Sequence, residues 1–330
     1  MIQGLRYPCS VAVATDGAMF VLSRGMQTQN EGADGRKTLS GCKLGKWSLE
    51  GNRIGDFGRK EFIWPTCVAI SSDGNVYASD ELENFIAVFG PDGPFYGFPL
   101  YDPDGEYLSK WGETGPGEGQ IDGPSGLAFD AGDNLHVVDS RNDRVQKFTK
   151  DGNYLMSWGT SGSNDGQFSQ PWGITIDKAG DIYIADWGNH RVQKFAPDGT
   201  FLMRFGSLHQ DGTELKHPVD VAVDGDGDVY VTDWGNKRVQ IYEPDGEIIG
   251  ALYGDATDPF DSLPEDIGRP DEIHFNAFEM IEDRTILGKF DRPMGIVTDD
   301  QDRIYVVDCN RARVQIYTKD NDYVPPPADL

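Results

Sequence analysis

Four aspartates recur along the chain, and each is followed five residues later by an arginine. The pairs are Asp139–Arg144, Asp186–Arg191, Asp233–Arg238 and Asp308–Arg313. A carboxylate and a guanidinium at fixed spacing form charge-assisted hydrogen bonds, and repetition of the pair favours a structural role over catalysis. Asp80 breaks the pattern, because Phe85 stands where the arginine would be. The sequence therefore singles out Asp80, flanked by Glu81 and Glu83, as a carboxylate without a partner and a candidate for function.

These aspartates belong to a repeated unit. Residues 124–159, 171–206 and 218–254 carry the same phrase, in which short β-branched and aromatic runs alternate with Asp-Gly and Gly-Asn turn signals. Such runs are too short for helices and are typical of strands joined by hairpins. Four antiparallel strands per unit predict an all-β propeller, and weaker copies bring the number of blades to six. The blades are expected to start at Pro8, Pro65, Pro124, Pro171, Pro218 and Pro293.

Residues 186–195 (DWGNHRVQKF), with Asp-Gly turns before and after them, resemble the NHL repeat. The resemblance implies a six-bladed propeller, with residues 1–330 as a single domain. Members of the NHL family include binding platforms as well as enzymes, so the fold leaves the function open. We expect weak ring closure, with residues 1–3 or 323–324 as a short outer strand of the last blade.

In a four-stranded meander, the start of strand one and the turn after strand two lie on the same face, called the front face below. Insertions 24–41 and 255–292 are expected on this front face, and insertion 91–107 on the opposite back face. The front face also collects four tryptophans, which are candidate anchors for a ligand or partner. These are Trp64, Trp172, Trp187 and Trp234. The alternative for the repeated pair Trp187 and Trp234 is that they only cover the ends of their blades.

Three thiols are expected to converge on the front face, where blades 6, 1 and 2 are neighbours. Cys9 and Cys67 follow blade-starting prolines, and Cys309 follows the last of the repeated aspartates. With Asp80 they form a candidate site for a divalent metal ion, and the nearby Arg24 and Arg311 are candidate ligand-binding residues. The alternative is that these thiols are small buried hydrophobic groups.

Two enzyme classes are built on similar propellers, and each requires particular residues at the channel mouth. Peptidyl-hydroxyglycine lyases of this type bind zinc through histidines that follow the blade prolines, and no histidine occupies those positions. The residues found there are Cys9, Thr66, Ser125, Trp172, Val219 and Met294. A lactonase-like site needs oxygen ligands for a divalent cation, which Asp80 or Asp220 with Asn189 or Asn236 would supply.

The charge balance narrows the range of partners. The chain has 29 Lys and Arg against 55 Asp and Glu, a formal charge of −26, which repels polyanions and argues against a nucleic-acid partner. The sequence shows no hydrophobic leader, no membrane-spanning run and no disulfide framework, so a cytoplasmic protein is expected. We expect a binding platform for a small molecule or a protein on the front face. The alternative is a metal-dependent lyase or hydrolase that acts at the mouth of the central channel.

Overall fold

The computed structural model describes residues 2, 5, 7–24, 30–31, 37–38, 43–57, 62–91, 108–206, 214–254 and 288–319. Its sheets form the six blades of a β-propeller, as the repeat predicts: five have four strands and the sixth has three. The first strand of each blade contacts the first strand of the next blade, and this sequence of contacts returns from blade 6 to blade 1. Six first strands therefore surround a central channel.

Within each blade, the strands follow one another antiparallel in chain order. Blade 1 consists of Pro8–Val13, Met19–Ser23, Lys43–Trp47 and Arg53–Phe57. Blade 2 consists of Pro65–Ile70, Val76–Asp80, Phe85–Phe89 and Ser109–Trp111. Blade 3 consists of Pro124–Phe129, Asn134–Asp139, Arg144–Thr149 and Tyr154–Trp158. A small hairpin within the first insertion pairs Asn30–Glu31 with Lys37–Thr38.

The other three blades repeat this pattern. Blade 4 consists of Pro171–Ile176, Ile182–Asp186, Arg191–Phe195 and Phe201–Phe205. Blade 5 consists of Pro218–Val223, Val229–Asp233, Arg238–Tyr242 and Ile248–Leu252. Blade 6 consists of Pro293–Thr298, Arg303–Asp308 and Arg313–Thr318.

Short elements join the blades and their strands. Two connectors between blades form parallel two-residue pairs, Glu113–Thr114 with Gln120–Ile121 and Thr160–Ser161 with Gln167–Phe168. After strand two, four blades make one turn of 3₁₀ helix, namely Ser140–Asn142, Trp187–Asn189, Trp234–Asn236 and Cys309–Arg311. No helix in the described part of the chain is long and apolar enough to cross a membrane.

The apolar core lies between neighbouring blades. Between blades 4 and 5, for example, Tyr183 and Phe205 pack with Val221, Val231 and Tyr242 in one buried cluster. Alternation along the strands places one set of side chains toward the preceding blade and the other toward the next, so strands rich in β-branched and aromatic residues fill both interfaces. The core therefore holds the first strands, and the residues at their ends, in fixed positions around the channel.

The N-terminus closes the ring. Ile2 exchanges two backbone hydrogen bonds with Val314 in the last strand of blade 6, at N–O distances of 3.0 and 2.9 Å. The Leu5 amide adds a bond of 3.2 Å to the carbonyl of Ala312. This confirms the expected minimal closure through the N-terminal residues, whereas 323–324 lie outside the described residues. Positions 25–29, 32–36, 39–42, 92–107 and 255–287, which include most of the three insertions, also lie outside them, so their expected faces stay predictions.

Candidate functional site

Each blade contributes two residues to the rim of the channel on the front face. One precedes the first strand, and the other follows the second strand. In blades 1, 2, 3 and 6 a backbone hydrogen bond of about 3 Å joins them, as from the Arg24 amide to the Tyr7 carbonyl (3.0 Å) and from the Cys309 amide to the Arg292 carbonyl (2.9 Å). The residues before strand one are Tyr7, Trp64, Gly123, Gln170, His217 and Arg292, and those after strand two are Arg24, Glu81, Ser140, Trp187, Trp234 and Cys309. We call these twelve residues the front ring.

The repeated aspartates lie beneath the front ring and fix it. Asp186 accepts hydrogen bonds from the Ser169 amide (2.9 Å), the Asn189 side chain (2.9 Å) and Arg191 Nε (2.8 Å). The Nη2 group of Arg191 donates to the carbonyls of Asn164 and Gln167 in the connector between blades. The Asp–Arg pairs are therefore structural, as expected. Asn189 is occupied in the same network, so the lactonase-like ligand set that includes it is not formed.

The expectation that Asp80 lacks a partner is wrong. Asp80 is fully buried, and its carboxylate accepts four backbone amides, from Ile63 (2.6 Å) and Trp64 (2.9 Å) before strand one and from Leu82 (3.0 Å) and Glu83 (3.1 Å) after strand two. Backbone N–H groups replace the missing arginine, because the turn after strand two wraps around the carboxylate. Asp80 thus positions the front ring in blade 2.

Aromatic stacking links blades 4 to 6 along the front ring. The His217 imidazole stacks on the Trp187 indole with ring centroids 4.1 Å apart, and it meets the Trp234 ring edge-on at 6.2 Å. The guanidinium carbon of Arg292 lies over Trp234, 5.5 Å from the ring centroid. His190 is edge-on to His217 at 4.2 Å, and burial, followed by the neighbouring His217, lowers the pKa of His190. Each tryptophan of the repeat therefore supports a polar or cationic side chain from the next blade.

The same stacking recurs in blades 1 and 2. In blade 1, Arg24 occupies the position that Trp187 has in blade 4. Arg24 is buried, and its guanidinium carbon lies 4.8 Å from the centroid of the Trp64 ring. Its Nε donates to the Pro65 carbonyl at 3.0 Å. Cys309 lies within the electrostatic reach of both Arg24 and Arg292, since both favour its thiolate, although burial raises the pKa of Cys309 overall. Two stacked arginines therefore flank Cys309 at the mouth of the channel.

The remaining predicted ligand residues have different surroundings. Trp172 is half-buried and packs, together with Trp187 and Trp234, on the apolar cluster that contains Cys9, Met294 and Cys309. Arg311 lies in the 3₁₀ turn after strand two of blade 6. The hydrogen bond from Lys237 lowers the pKa of Asp291, and the charge of Arg311 adds to this effect. The structure thus brings the four tryptophans and Arg24 to one face, and the apolar cluster forms the floor of the mouth.

The channel below the mouth is narrow. Its cavity of about 10 Å³ is lined by second and third residues of the first strands, including Cys67 of blade 2 and Asp220 of blade 5, which belong to opposite sides of the ring. Asp220 accepts the Ile296 and Val221 amides at 3.0 Å each, and burial raises its pKa to about 7. Burial, and then the Asp220 carboxylate, raises the pKa of Cys67 to about 12. The channel has room for about one water molecule.

The structure does not form the metal site expected from the thiols. In the described ranges, no group of three or more His, Cys, Asp or Glu side chains is placed to hold a metal ion. Cys9 Sγ donates to the Leu22 and Pro65 carbonyls at 3.4 and 3.5 Å, and Cys67 Sγ to the Val68 carbonyl at 3.7 Å. Protonated thiols with carbonyl partners act as buried structural groups, and a metal ligand must be a thiolate.

Two residues of the site were missed in the sequence. Arg292 and His217 each immediately precede a blade-starting proline, and only the structure shows that they stack on Trp234 and Trp187. The signal that identifies them is their position: the residue before the proline of one blade meets the residue after strand two of the preceding blade.

Comparison with known proteins agrees with this architecture. The family model described as NHL repeat matches residues 168–195, 215–242 and 290–317. No match is found among curated proteins. Among solved structures, a streptogramin B lyase is 16% identical with a TM-score of 0.53, over 96% of this chain and 85% of that chain. A virginiamycin B lyase from Staphylococcus aureus is 14% identical with a TM-score of 0.54, over 95% of this chain and 85% of that chain.

A third structure, a protein of unknown function from Bacteroides thetaiotaomicron, is 15% identical with a TM-score of 0.60, over 95% of this chain and 70% of that chain. At these sequence identities the similarity shows the fold alone, because the function of a propeller depends on the side chains at its mouth. The matches to the repeat model and the six observed blades both indicate a propeller. The chain carries NHL repeats at residues 168–195, 215–242 and 290–317, and it has the fold of a six-bladed β-propeller.

Proposed function

We propose that the protein is a binding module whose front face takes a small organic anion with an apolar portion. The observation that carries this proposal is the pair of arginines, Arg24 and Arg292, each held over a tryptophan ring on either side of Cys309. A guanidinium stacked on an indole is pre-organised for a carboxylate or phosphate because its rotamer is fixed.

The charge of the whole chain supports an anionic ligand. In a chain with a formal charge of −26, two guanidiniums at the channel mouth are a local exception. The Nε atom of Arg292 is buried and has no hydrogen-bond partner among the described residues. A buried donor without a partner costs about 1 to 3 kcal/mol, which a carboxylate or phosphate oxygen would recover once the side chain turns its Nε toward the mouth. Glu81 follows strand two of blade 2, next to Arg24; burial raises the pKa of Glu81, and the charge of Arg24 acts in the opposite direction.

The apolar floor supports an organic ligand over an inorganic ion. Cys9, Met294 and Cys309 form the floor with Val219, and three tryptophans pack against the same cluster. Half-buried tryptophans bind the apolar part of a ligand by area burial and ring contacts. The anionic group of the ligand would lie at the arginines and its apolar part over Trp172 and Trp187.

The competing function is a metal-dependent lyase or hydrolase at the same mouth. Two solved structures with this fold are lyases, but at 14 to 16% identity their activity is not carried over to this chain. The two functions differ in a measurable way, because a metal enzyme loses activity when a direct ligand of the ion is changed. We place the binding module in the cytoplasm, in agreement with the composition, and nucleic acid is not its expected partner.

The experiment is calorimetric titration with phenylacetate as an anionic probe and phenethylamine as a cationic probe of similar size. We expect saturable binding of phenylacetate alone, and Arg292→Gln is expected to weaken it by about tenfold or more, since charge-assisted hydrogen bonds to a guanidinium contribute about 1.5 to 3 kcal/mol. Arg204→Gln, at an exposed ion pair with Asp165, is the matched control and should leave the affinity unchanged. Equal binding of the two probes, or unchanged affinity in Arg292→Gln, would contradict the proposal.

A further inference from the structure

His217, the front-ring residue before strand one of blade 5, has a fixed orientation. Its imidazole stacks on the Trp187 indole with ring centroids 4.1 Å apart, and the rings of His190 and Trp234 meet it edge-on at 4.2 and 6.2 Å. Its backbone φ of 53° lies in the left-handed region, which bulky side chains rarely adopt. The backbone amide of His217 donates to His190 Nδ1 at 3.1 Å. Ring contacts and backbone therefore position this imidazole before any ligand binds.

One hydrogen bond decides which nitrogen of the His217 ring carries the proton. Nδ1 lies 3.3 Å from the carbonyl oxygen of Trp187. Because a carbonyl oxygen only accepts, Nδ1–H is the donor, and Nε2 of the neutral imidazole keeps its lone pair. The Trp187 carbonyl thus makes Nε2 a hydrogen-bond acceptor.

This acceptor is accessible and unused. His217 is half-buried, and its Nε2 makes no hydrogen bond in the described part of the chain. Nε2 is also not one of the buried polar atoms of the front ring, in contrast to the Nε atom of Arg292. A donor group of a ligand can therefore reach Nε2 while the stack on Trp187 stays intact.

His217 complements the arginines of the front ring. The guanidinium groups of Arg24 and Arg292 only donate hydrogen bonds, whereas Nε2 of His217 accepts one. Trp234 lies next to both kinds of group: its ring centroid is 5.5 Å from the guanidinium carbon of Arg292 and 6.2 Å from the ring centroid of His217. Arg292 and His217 are thus no farther apart than these two distances together. One small molecule can meet both if its anionic group and its hydrogen-bond donor are close to each other.

We propose that the front face binds a small organic acid with a hydroxyl group on the carbon next to its carboxylate, and that this hydroxyl donates a hydrogen bond to His217 Nε2. The inference rests on the proposed function, in which the arginines bind the carboxylate, and it adds the class of acid. An acid without the hydroxyl leaves Nε2 unused. An acid with its hydroxyl at the far end of the molecule cannot place both groups at once.

Three acids with the same ring test the proposal: phenylacetate, mandelate and 4-hydroxyphenylacetate. Mandelate and 4-hydroxyphenylacetate are isomers that differ in the place of the hydroxyl, which is next to the carboxylate only in mandelate. Calorimetric titrations are made at pH 8, where a histidine side chain is ordinarily neutral. The better-bound enantiomer of mandelate is expected to bind at least about fivefold more tightly than the other two acids, the factor that one hydrogen bond of about 1 kcal/mol gives.

The outcomes separate this inference from the proposed function. If phenylacetate binds and mandelate binds no more tightly, the hydroxyl has no partner and the inference is overturned while the proposed function stands. Equal affinity for the two isomers would also overturn it, because the place of the hydroxyl would not matter. Absence of binding of all three acids would overturn both proposals.

A variant tests whether His217 is the partner of the hydroxyl. His217→Phe retains an aromatic ring for the stack on Trp187 but removes Nε2, and Tyr7, with a φ of 49°, shows that the same position in blade 1 accommodates an aromatic side chain. The preference for mandelate over phenylacetate should disappear in this variant. Arg204→Gln, at the exposed ion pair with Asp165, is the control and should retain the preference. A preference that persists in folded His217→Phe would contradict the assignment.

A spectroscopic measurement decides if His217→Phe does not fold. In the unmodified protein, mandelate is expected to shift the ¹⁵N signal of His217 Nε2 saturably, because a lone pair that accepts a hydrogen bond changes its shielding. Phenylacetate, which has no hydroxyl, should shift this signal much less. The absence of a saturable shift with mandelate, or equal shifts with the two acids, would overturn the inference.

Discussion

Asp308 and Arg313 form an ion pair with an Nη2–Oδ2 distance of 3.1 Å, in which the aspartate is 0% exposed and the arginine 2%. The same arginine donates to the carbonyls of Gly288 and Lys289, which lead into the first strand of blade 6. The aspartate in turn accepts the amides of Asp291 and Arg292. One buried pair thus fixes both the connector and the residue that stacks on Trp234 at the mouth.

Removal of the arginine from this pair should be costly. Arg313→Met leaves the Asp308 carboxylate buried without a counter-charge, and we expect the free energy of unfolding to fall by about 3 to 5 kcal/mol. Urea denaturation of both proteins measures the loss. The control is Arg204→Met, whose pair with Asp165 at 3.2 Å is exposed on both sides and should contribute less than about 1 kcal/mol. Equal effects of the two substitutions would show that burial does not determine the contribution of these pairs.

Ring closure depends on one buried side chain near the N-terminus. Ile2 is 1% exposed and packs with Val21, Trp47 and Val314. Ile2→Ala is expected to lower the free energy of unfolding by about 2 to 5 kcal/mol, because it leaves a cavity at the junction of blades 1 and 6. Ile249→Ala, at a site 45% exposed, should change it by less than about 0.5 kcal/mol. Hydrogen exchange should localise the loosening to the last strand of blade 6, and uniform loosening of all blades would contradict this account.

The raised pKa of Asp220 predicts the direction in which the free energy of unfolding changes with pH. The pKa of Asp220 is raised to about 7 in the folded protein, above the ordinary value of 3.8. Between these two values the folded state holds the proton more tightly than the unfolded state. The contribution of Asp220 to stability therefore decreases as the pH rises from about 4 to 7, and it is constant above that. Asp220→Asn should remove this part of the pH dependence.

The measurement is the free energy of unfolding at pH 5 and pH 8 for both proteins. The carboxamide introduced by Asp220→Asn cannot accept both backbone bonds, so the comparison uses the change between the two pH values and not the absolute stability. His136 acts in the opposite direction, since its pKa is lowered to about 4 and its contribution is lost as the pH falls through the window from 6.5 to 4. An unchanged difference between pH 5 and pH 8 in Asp220→Asn would show that Asp220 titrates normally.

The thiols of Cys9, Cys67 and Cys309 should be unreactive in the native protein, because Cys9 and Cys309 are buried and Cys67 is half-buried in the narrow channel. Cys9 and Cys309 are 3% and 5% exposed, and burial raises the pKa of Cys67 to about 12. Because the thiolate is the nucleophile, we expect these thiols in Cys42→Ser protein to react with a disulfide reagent at pH 8 at least about a hundredfold more slowly than in guanidinium chloride. Rapid labelling of Cys67 in the native protein, located by mass spectrometry, would contradict the buried channel environment.

The sequence by itself determined the blades. The spacing of the prolines, the Asp-Gly turns and the Asp–Arg pairs are local patterns, and each acts within a unit of about 47 residues. The roles of Asp186 and Arg191 could be predicted because both lie in adjacent strands of one hairpin, where register fixes their contact. The same repeat also placed Trp187 and Trp234 on one face.

The tertiary structure decided which residues from different blades meet. Asp80 is partnered by amides that the connector from blade 1 brings to it, and no side chain in its own repeat signals them. Arg292 reaches Trp234 across a blade boundary, and Cys67 and Asp220 share a channel although 153 residues separate them in the chain. A repeat fixes the height of a residue within its blade, whereas contacts between blades depend on how six units pack around one axis.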